Sequence, residues 1–194
     1  MHTEKRERDE RPNGFYEWVQ ALVCTVLLIV LTFTFAARVM RVDGPSMRET
    51  LQNNDLMLVR GMLGGTYRAG EIVIVRKAGF NDGRPIVKRV IATAGQTVEI
   101  DFDAGAVFVD GEKLTEPYVR ELTHLEEGTE FPYTVPEGCI FVMGDNRNDS
   151  DDSRDPALGA VDLRCVIGRV ECLVFPGVSA DSGTRRFSRL GRIS

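Results

Sequence analysis

Hydrophobic positions run along this chain in two distinct ways. Between Trp18 and Arg38 lies VQALVCTVLLIVLTFTFAA, uncharged throughout, with Gln20, Thr25, Thr32 and Thr34 as its polar interruptions. A helix needs about 20 apolar residues to cross a hydrocarbon layer of ~30 Å. The stretch therefore predicts one spanning helix over residues 17–38, with Tyr16 and Trp18 at one interface and Arg38 and Arg41 reaching water at the other. A cleaved secretory signal is the competing reading. The stretch is longer than a usual signal core, and Ala36-Ala37 runs straight into arginine, so a retained anchor is favoured.

Beyond the span the pattern shortens to Val/Ile-rich runs broken by glycine. LMLVRG, EIVIVRK, PIVKRVIATAG, TVEIDF, AVFVDGEKL, CIFVMGD and CVIGRVECLVF all read as strands. Asp110-Gly111 inside one of them is a tight-turn signal. Short strands at such spacings predict a mainly β domain over 39–176, not an alternating β/α one. The stretch from about 96 to 138 is richer in turns and acids than its flanks, as in LTHLEEGTEFP, and reads as a smaller hairpin-bearing cap inserted between two core parts.

Charge refines this picture. The chain has 24 Lys+Arg against 29 Asp+Glu, a formal net charge of −5, and the acid excess falls mostly between Val42 and Pro176. A nucleic-acid binder would normally show a basic face, so the balance argues against nucleic acid as a partner. Residues 1–16 read as a charged cytoplasmic stub. Lys5, Arg6, Arg8 and Arg11 before the span, against Arg38 and Arg41 after it, put the N-terminus in the cytosol and the β domain outside. Residues 177–194 form a basic tail, in which Phe187, Leu190 and Ile193 recur every third position among Arg185, Arg186, Arg189 and Arg192. It reads either as a disordered terminus or as a short helix lying on anionic lipid.

Cysteine and histidine usage narrows the chemistry. Cys24 lies in the span, leaving Cys139, Cys165 and Cys172 outside it, an odd number that permits one bridge at most. The preferred reading is small buried hydrophobes. With no Cys-x-x-Cys and only His2 and His124, no metal site is expected. A Ser-His-Asp triad would need His124, which sits in the acidic insertion with no motif around it and reads as a surface residue. An activated serine here requires another base.

Two segments offer one. In VDGPSMRETL, residues 42–51, Gly44-Pro45 forces a bend that leaves Ser46 in a turn soon after the span. In PIVKRVIATAG, residues 85–95, Lys88 shares a strand face with Ile86 and Val90, and Arg89 takes the opposite face with Val87 and Ile91. Burying a lysine among such neighbours lowers its pKa from about 10.4, leaving a neutral amine able to take a serine proton. Alone, a turn serine and a strand lysine are more often bland.

A third segment changes the balance. MGDNRNDSDDSR, residues 143–154, follows the strand CIFV directly, and so many polar groups beside a core strand must satisfy one another. Asp145, Arg147, Asp152 and Arg154 are expected to pair as carboxylates and guanidiniums that hold the loop. A solvated loop or an acidic calcium loop are the alternatives, and the latter lacks the glycine and distal glutamate spacing.

The ordered set of SM-x-x-TL after a single span, VKRVI in mid-domain and then GDNRxxSxDSR resembles the bacterial type I signal peptidases, of Gram-positive type. GQTVEI, VFVDGEKLTEPYV and VIGRVECLVFP are similar to family stretches too. The resemblance implies a signal-peptidase-like coiled β-sheet catalytic domain behind one transmembrane helix. It implies Ser46 as nucleophile, Met47 as a residue lining the substrate channel and Lys88 as general base. Ser150 would orient the lysine amine, with Asp145, Arg147, Asp152 and Arg154 as supporting network. The oxyanion would be held by the Ser46 amide and a donor at Gly44, where some members carry a hydroxyl.

Two departures from the family pattern stand out: Glu49 where SM-x-P-T has proline, and DPALGAV after Arg154, which is two residues longer than usual before its glycine. The implied reaction is acyl transfer on secretory preproteins with A-x-A-like sites, at the lipid bilayer and with no cofactor. The rival readings are a dedicated pilin-type processing peptidase and an inactive, membrane-tethered peptide-binding domain.

Overall fold

The computed structural model describes residues 14–35, 37–61, 65–179 and 182–193. Two units are distinct, one ending at Ala36 and the other beginning at Ala37. Among its described residues, the first contains one helix, α1, spanning Gly14–Phe35. At 22 residues it is roughly 33 Å long, enough for a bilayer of ~30 Å. By length and composition it is able to cross a membrane, and none of its apolar window is buried against protein. Being apolar on every side, it has no preferred protein-facing stripe, as expected of a helix solvated by lipid. Thr25 removes its own polarity by donating its hydroxyl to the Ala21 carbonyl at 2.8 Å. Residues 1–13 of the expected stub, His2 among them, lie outside the described residues.

The helix stops short of the expected boundary. Ala37 and Arg38 begin strand β1, Ala37–Arg41, which pairs antiparallel with β2, Leu56–Arg60. Arg38 is thus a strand residue in register with Val59. Within β1, Arg38 and Val39 are exposed and Met40 is half-buried against the core.

The second unit is built on two antiparallel sheets. The larger continues with β3, Ile72–Val75, β4, Ile86–Thr93, β9, Cys139–Met143, β10, Val161–Asp162, β11, Val166–Phe175, and β12, Gly191–Arg192. Its order is β1-β2-β11-β3-β4-β9-β10, with β12 pairing on β11. Buried on both faces, β3 is uniformly apolar, whereas β2 alternates. Register shifts in the β11 pairings with β2 and β3, and in β4 against β9, curl the sheet. Gly168 sits at one of them because a Cβ there would strike the Arg60 carbonyl and Val59.

The smaller sheet holds β5, Thr97–Asp101, β6, Ala106–Val109, β7, Glu112–Lys113, and β8, Tyr133–Thr134, in the order β7-β6-β5-β8. These four strands fall within the 96–138 segment that the sequence reads as a cap. Val98, Val107 and Val109 pack on Ile91, Phe141 and Met143, so the cap shares a core with β4 and β9.

The tail departs from both sequence readings. Residues 182–193 return to the sheet through a short 310 turn, Phe187–Arg189, and then β12. Phe187 packs edge-on to Phe175 with centroids 5.8 Å apart, and Ile193 joins the core. The every-third apolar residues therefore fall on or beside a 310 turn and a short strand rather than on an α-helix, with Phe187 and Leu190 exposed and Ile193 packed on the core.

Candidate active site

The loop joining β1 to β2 is folded back on itself. Val42 N–H donates to the Asp55 carbonyl at 2.9 Å, and Asn54 N–H returns to Val42 at 2.9 Å. Within it, Arg48 donates to Pro45 and Leu51 to Met47 at 3.0 and 2.8 Å. Gly44 has φ +101°, a left-handed conformation that a side chain would oppose. Pro45 then fixes the entry to Ser46. Ser46 is half-buried at the wall of a cavity, while the next side chain turns inward.

That inward residue is Met47, which is 1% exposed and packed with Val42 and Leu51. It does not line the cavity beside Ser46. Met47, to which the family resemblance gives a substrate-channel role, is thus placed with its side chain in the core cluster. Gly44 does line the cavity, but its amide is directed to the Asn53 side-chain oxygen at 3.2 Å.

Lys88 reaches the same cavity from the middle of β4, in register with Val73 of β3. Its neighbours on that face, Ile86 and Val90, pack on Phe80 and Val142. The lysine is 2% exposed, and its Nζ donates to Ser150 Oγ at 2.8 Å. Burial lowers its pKa from the ordinary 10.5, against the opposing pull of Asp152, Asp151 and Glu127. Desolvation wins. The cavity of about 210 Å³ is lined by Ser46, Lys88 and Ser150 together with Gly44, Pro45 and Phe80. A second hollow of about 200 Å³ flanks Ser46 on the side of Arg84 and Pro85.

The loop after β9 holds these groups at close quarters. A Cβ on Gly144 would collide with Ser150 Oγ and the Ser46 carbonyl, so only glycine fits between them. Asn146 N–H donates to the Ser46 carbonyl at 3.0 Å, and its side chain donates to Pro45. Ser150 in turn donates its hydroxyl to Asp152 Oδ2 at 2.8 Å. Asp152 is fully buried, and burial alone would raise its pKa. The hydrogen bonds and charge of Arg154, with Lys88 and the Gly144 amide, outweigh burial and hold it below the usual carboxylate range.

The expected pairing of four charges within the loop is only partly observed. Arg154 and Asp152 do pair, through Nε and Nη2 at 2.9 and 2.8 Å. Asp145 instead takes a two-pronged contact from Arg89, both bonds 2.8 Å, with the Tyr118 ring stacked on the guanidinium. Arg147 reaches Glu116 and Thr123 of the cap. The distribution is physically sensible, since each buried guanidinium obtains its own carboxylate. Arg89 had a sequence signal, an arginine on a strand face lined by valine and isoleucine. Glu116 and Glu127 had none beyond the acidity of the insertion.

Glu127 extends this network, with Oε1 2.9 Å from Arg154 Nη2 and Oε2 accepting from the Asp152 amide. Burial, reinforced by the charge of Asp152, pushes its carboxyl up to about 7, against Arg154. Its folded pKa exceeds the ordinary 4.5, so its stabilising contribution is full below that value and lost as pH rises through about 7. Glu127→Gln is therefore expected to flatten the fall in Tm across that window and to melt above wild type at about pH 8. Parallel melting curves for variant and wild type would show that Glu127 ionises normally.

His124 is exposed, with Nδ1 2.8 Å from the Phe102 carbonyl, and is not among the cavity-lining residues. Cys139, Cys165 and Cys172 are half-buried free thiols.

Residues 15–175 match the family model described as signal peptidase, peptidase S26. Signal peptidase I of Bacillus licheniformis is 34% identical over 183 residues, covering 90% of this chain and 95% of that protein. Signal peptidase I T of Bacillus subtilis (strain 168) is 33% identical over 184 residues, covering 90% and 92%. A crystal structure of a signal peptidase I from Enterococcus faecalis V583 is 31% identical with a TM-score of 0.44, covering 54% of this chain and 97% of that one. Matched over most of its length, the chain belongs to the bacterial type I signal peptidases, peptidase family S26.

Proposed function

We propose that this protein is a membrane-anchored serine endopeptidase that removes N-terminal signal peptides from secreted preproteins, with Ser46 as nucleophile and Lys88 as general base. Family membership supports signal-peptide removal. The observation that carries the finer reading is the buried Lys88 amine, held by Ser150 in the cavity that Ser46 also lines.

A neutral amine has two N–H donors and one lone pair. Ser150 spends its only hydrogen on Asp152, so towards Lys88 it acts as acceptor alone. One lysine hydrogen is thereby fixed on Ser150 and the lone pair stays free for the Ser46 hydroxyl. As Ser46 Oγ attacks the carbonyl carbon of the small residue that ends the signal peptide, its proton passes to Lys88. The ammonium then protonates the leaving amine of the mature protein. A water, deprotonated by the regenerated amine, releases the signal peptide and restores Ser46.

The Ser46 amide is one donor for the oxyanion. The Gly44 amide is committed to Asn53, so a second donor requires a peptide rotation there or a water. An extended preprotein segment suits the cleft, with small side chains fitting the hollows beside Ser46. In this reading α1 anchors the enzyme with its N-terminus cytosolic, so that the catalytic unit meets substrates on the outer side.

Purified full-length protein in detergent should cleave a preprotein with an Ala-x-Ala site into two fragments whose masses mark cleavage after the second alanine. Ser46→Ala should leave the preprotein intact. Cleavage that survives in Ser46→Ala would remove Ser46 from the chemistry.

A further inference from the structure

The family match ends at residue 175, yet the segment beyond it reaches the loop that carries Ser46. Arg189 Nη2 donates to the Thr50 carbonyl at 2.9 Å and to Asp55 Oδ2 at 2.6 Å, with Nη1 3.2 Å from Oδ1. Asp55 is fully buried and also accepts from Gln52 N–H at 2.7 Å and Gly177 N–H at 2.6 Å. One carboxylate thus ties the Ser46 loop, the exit of β11 and the tail. Ile193 adds an apolar contact, packing on the cluster that includes Met47 and Leu51.

The tail is itself pinned at several points. β12 pairs with Cys172 and Leu173 of β11, Arg185 donates to the Pro176 carbonyl at 2.7 Å, and Phe187 rests on Phe175. Thr50 is consequently gripped from two sides. Its carbonyl is held by Arg189 and its hydroxyl by Asp145, the residue after Gly144, which fits against the Ser46 carbonyl. Acylation requires the Ser46 hydroxyl within hydrogen-bond reach of Lys88, and a shift of about 1 Å in such a group can cost up to about 10²-fold in rate.

We propose that residues 182–193 form a strap that fixes the Ser46 turn for acylation, with Arg189 as its positioning residue. The inference rests on the Ser46–Lys88 reading above, and it assigns the C-terminal segment a part in the same reaction. Arg189 does not touch substrate. It acts through Thr50 and Asp55.

Full-length Arg189→Ala and Arg189→Lys, assayed well below their melting temperatures, test this. Arg189→Ala should lower kcat about tenfold with KM and the pH midpoint of the rate unchanged, because neither the cleft nor the surroundings of Lys88 are altered. Arg189→Lys should recover part of the loss, since an ammonium can still bridge Asp55 and Thr50. Amide hydrogen exchange at Arg48 and Leu51 should quicken in Arg189→Ala, while β4 and β9 exchange as in wild type. An unchanged kcat, or unchanged exchange in the turn, would overturn the strap. Should wild type lack Ser46-dependent cleavage, the functional reading fails instead, and the exchange rates still decide whether the tail holds the turn.

Discussion

Lys88→Met is expected to lose preprotein cleavage almost completely while melting no lower than wild type at neutral pH. Loss of a general base costs about 10²–10⁴-fold, and here the same group also protonates the leaving amine. The stability half follows from linkage. The folded-state pKa of Lys88 lies below its ordinary value, so the folded protein binds this proton less tightly than the unfolded chain does. Below that lowered pKa the lysine opposes folding by its full amount, and the penalty fades as pH rises towards 10.5. An unbranched apolar side chain fills the same space without it. Lys88→Arg should be equally inactive, because a guanidinium stays charged and offers no lone pair. Substantial turnover by either variant would count against a neutral-lysine mechanism, and a large drop in Tm for Lys88→Met would mean that the amine is structural.

Asp152→Ala is the second large effect, and it acts on stability and rate together. The substitution strips the fully buried Arg154 of its main carboxylate and leaves the buried Gly144 amide without an acceptor. Breaking a buried pair from one side costs about 3–5 kcal/mol, so a marked fall in Tm is expected. The stability at risk is present above the unfolded pKa of Asp152 and disappears as pH falls through its lowered folded value, so variant and wild type should converge in acid. The rate should fall for a separate reason. Without Asp152, the Ser150 hydroxyl can turn and donate to the Lys88 lone pair, blocking the electron pair that Ser46 needs. Removing that negative charge should also move the pH midpoint of the rate downward, since Asp152 favours the ammonium form. Equal melting temperatures would mean that the loop is solvated after all.

The elements legible in the sequence were those whose signal is local. β2, β3, β4, β6, β9 and β11 are runs of valine, isoleucine and leucine bounded by glycine or charge, and each forms within its expected run. β1 was hidden because ARVMR is short, doubly charged and fused to the apolar span, so periodicity has no room to change from helical to alternating. β8, β10 and β12 are two-residue ladders created by their partners, and no composition marks them. The same division holds at the site. Ser46, Lys88 and Ser150 come from separate motifs and are brought around one cavity. The partners of the buried arginines lay on distant elements: Arg147 finds Glu116 in the cap, and Asp145 finds Arg89 across the β4–β9 pair. Sequence spacing can state that a buried charge needs a partner, but tertiary packing chooses which one.

The central claim is that a neutral, desolvated Lys88 activates Ser46, and the pH dependence of kcat/KM tests it most directly. Rates for the free enzyme should rise along a single limb with a midpoint below 10.5, the ordinary lysine value. His124→Ala should leave that limb where it is, because the imidazole sits at the surface on the Phe102 carbonyl. A midpoint at or above 10.5, or a limb that moves with His124→Ala, would contradict the assignment of Lys88 as the base.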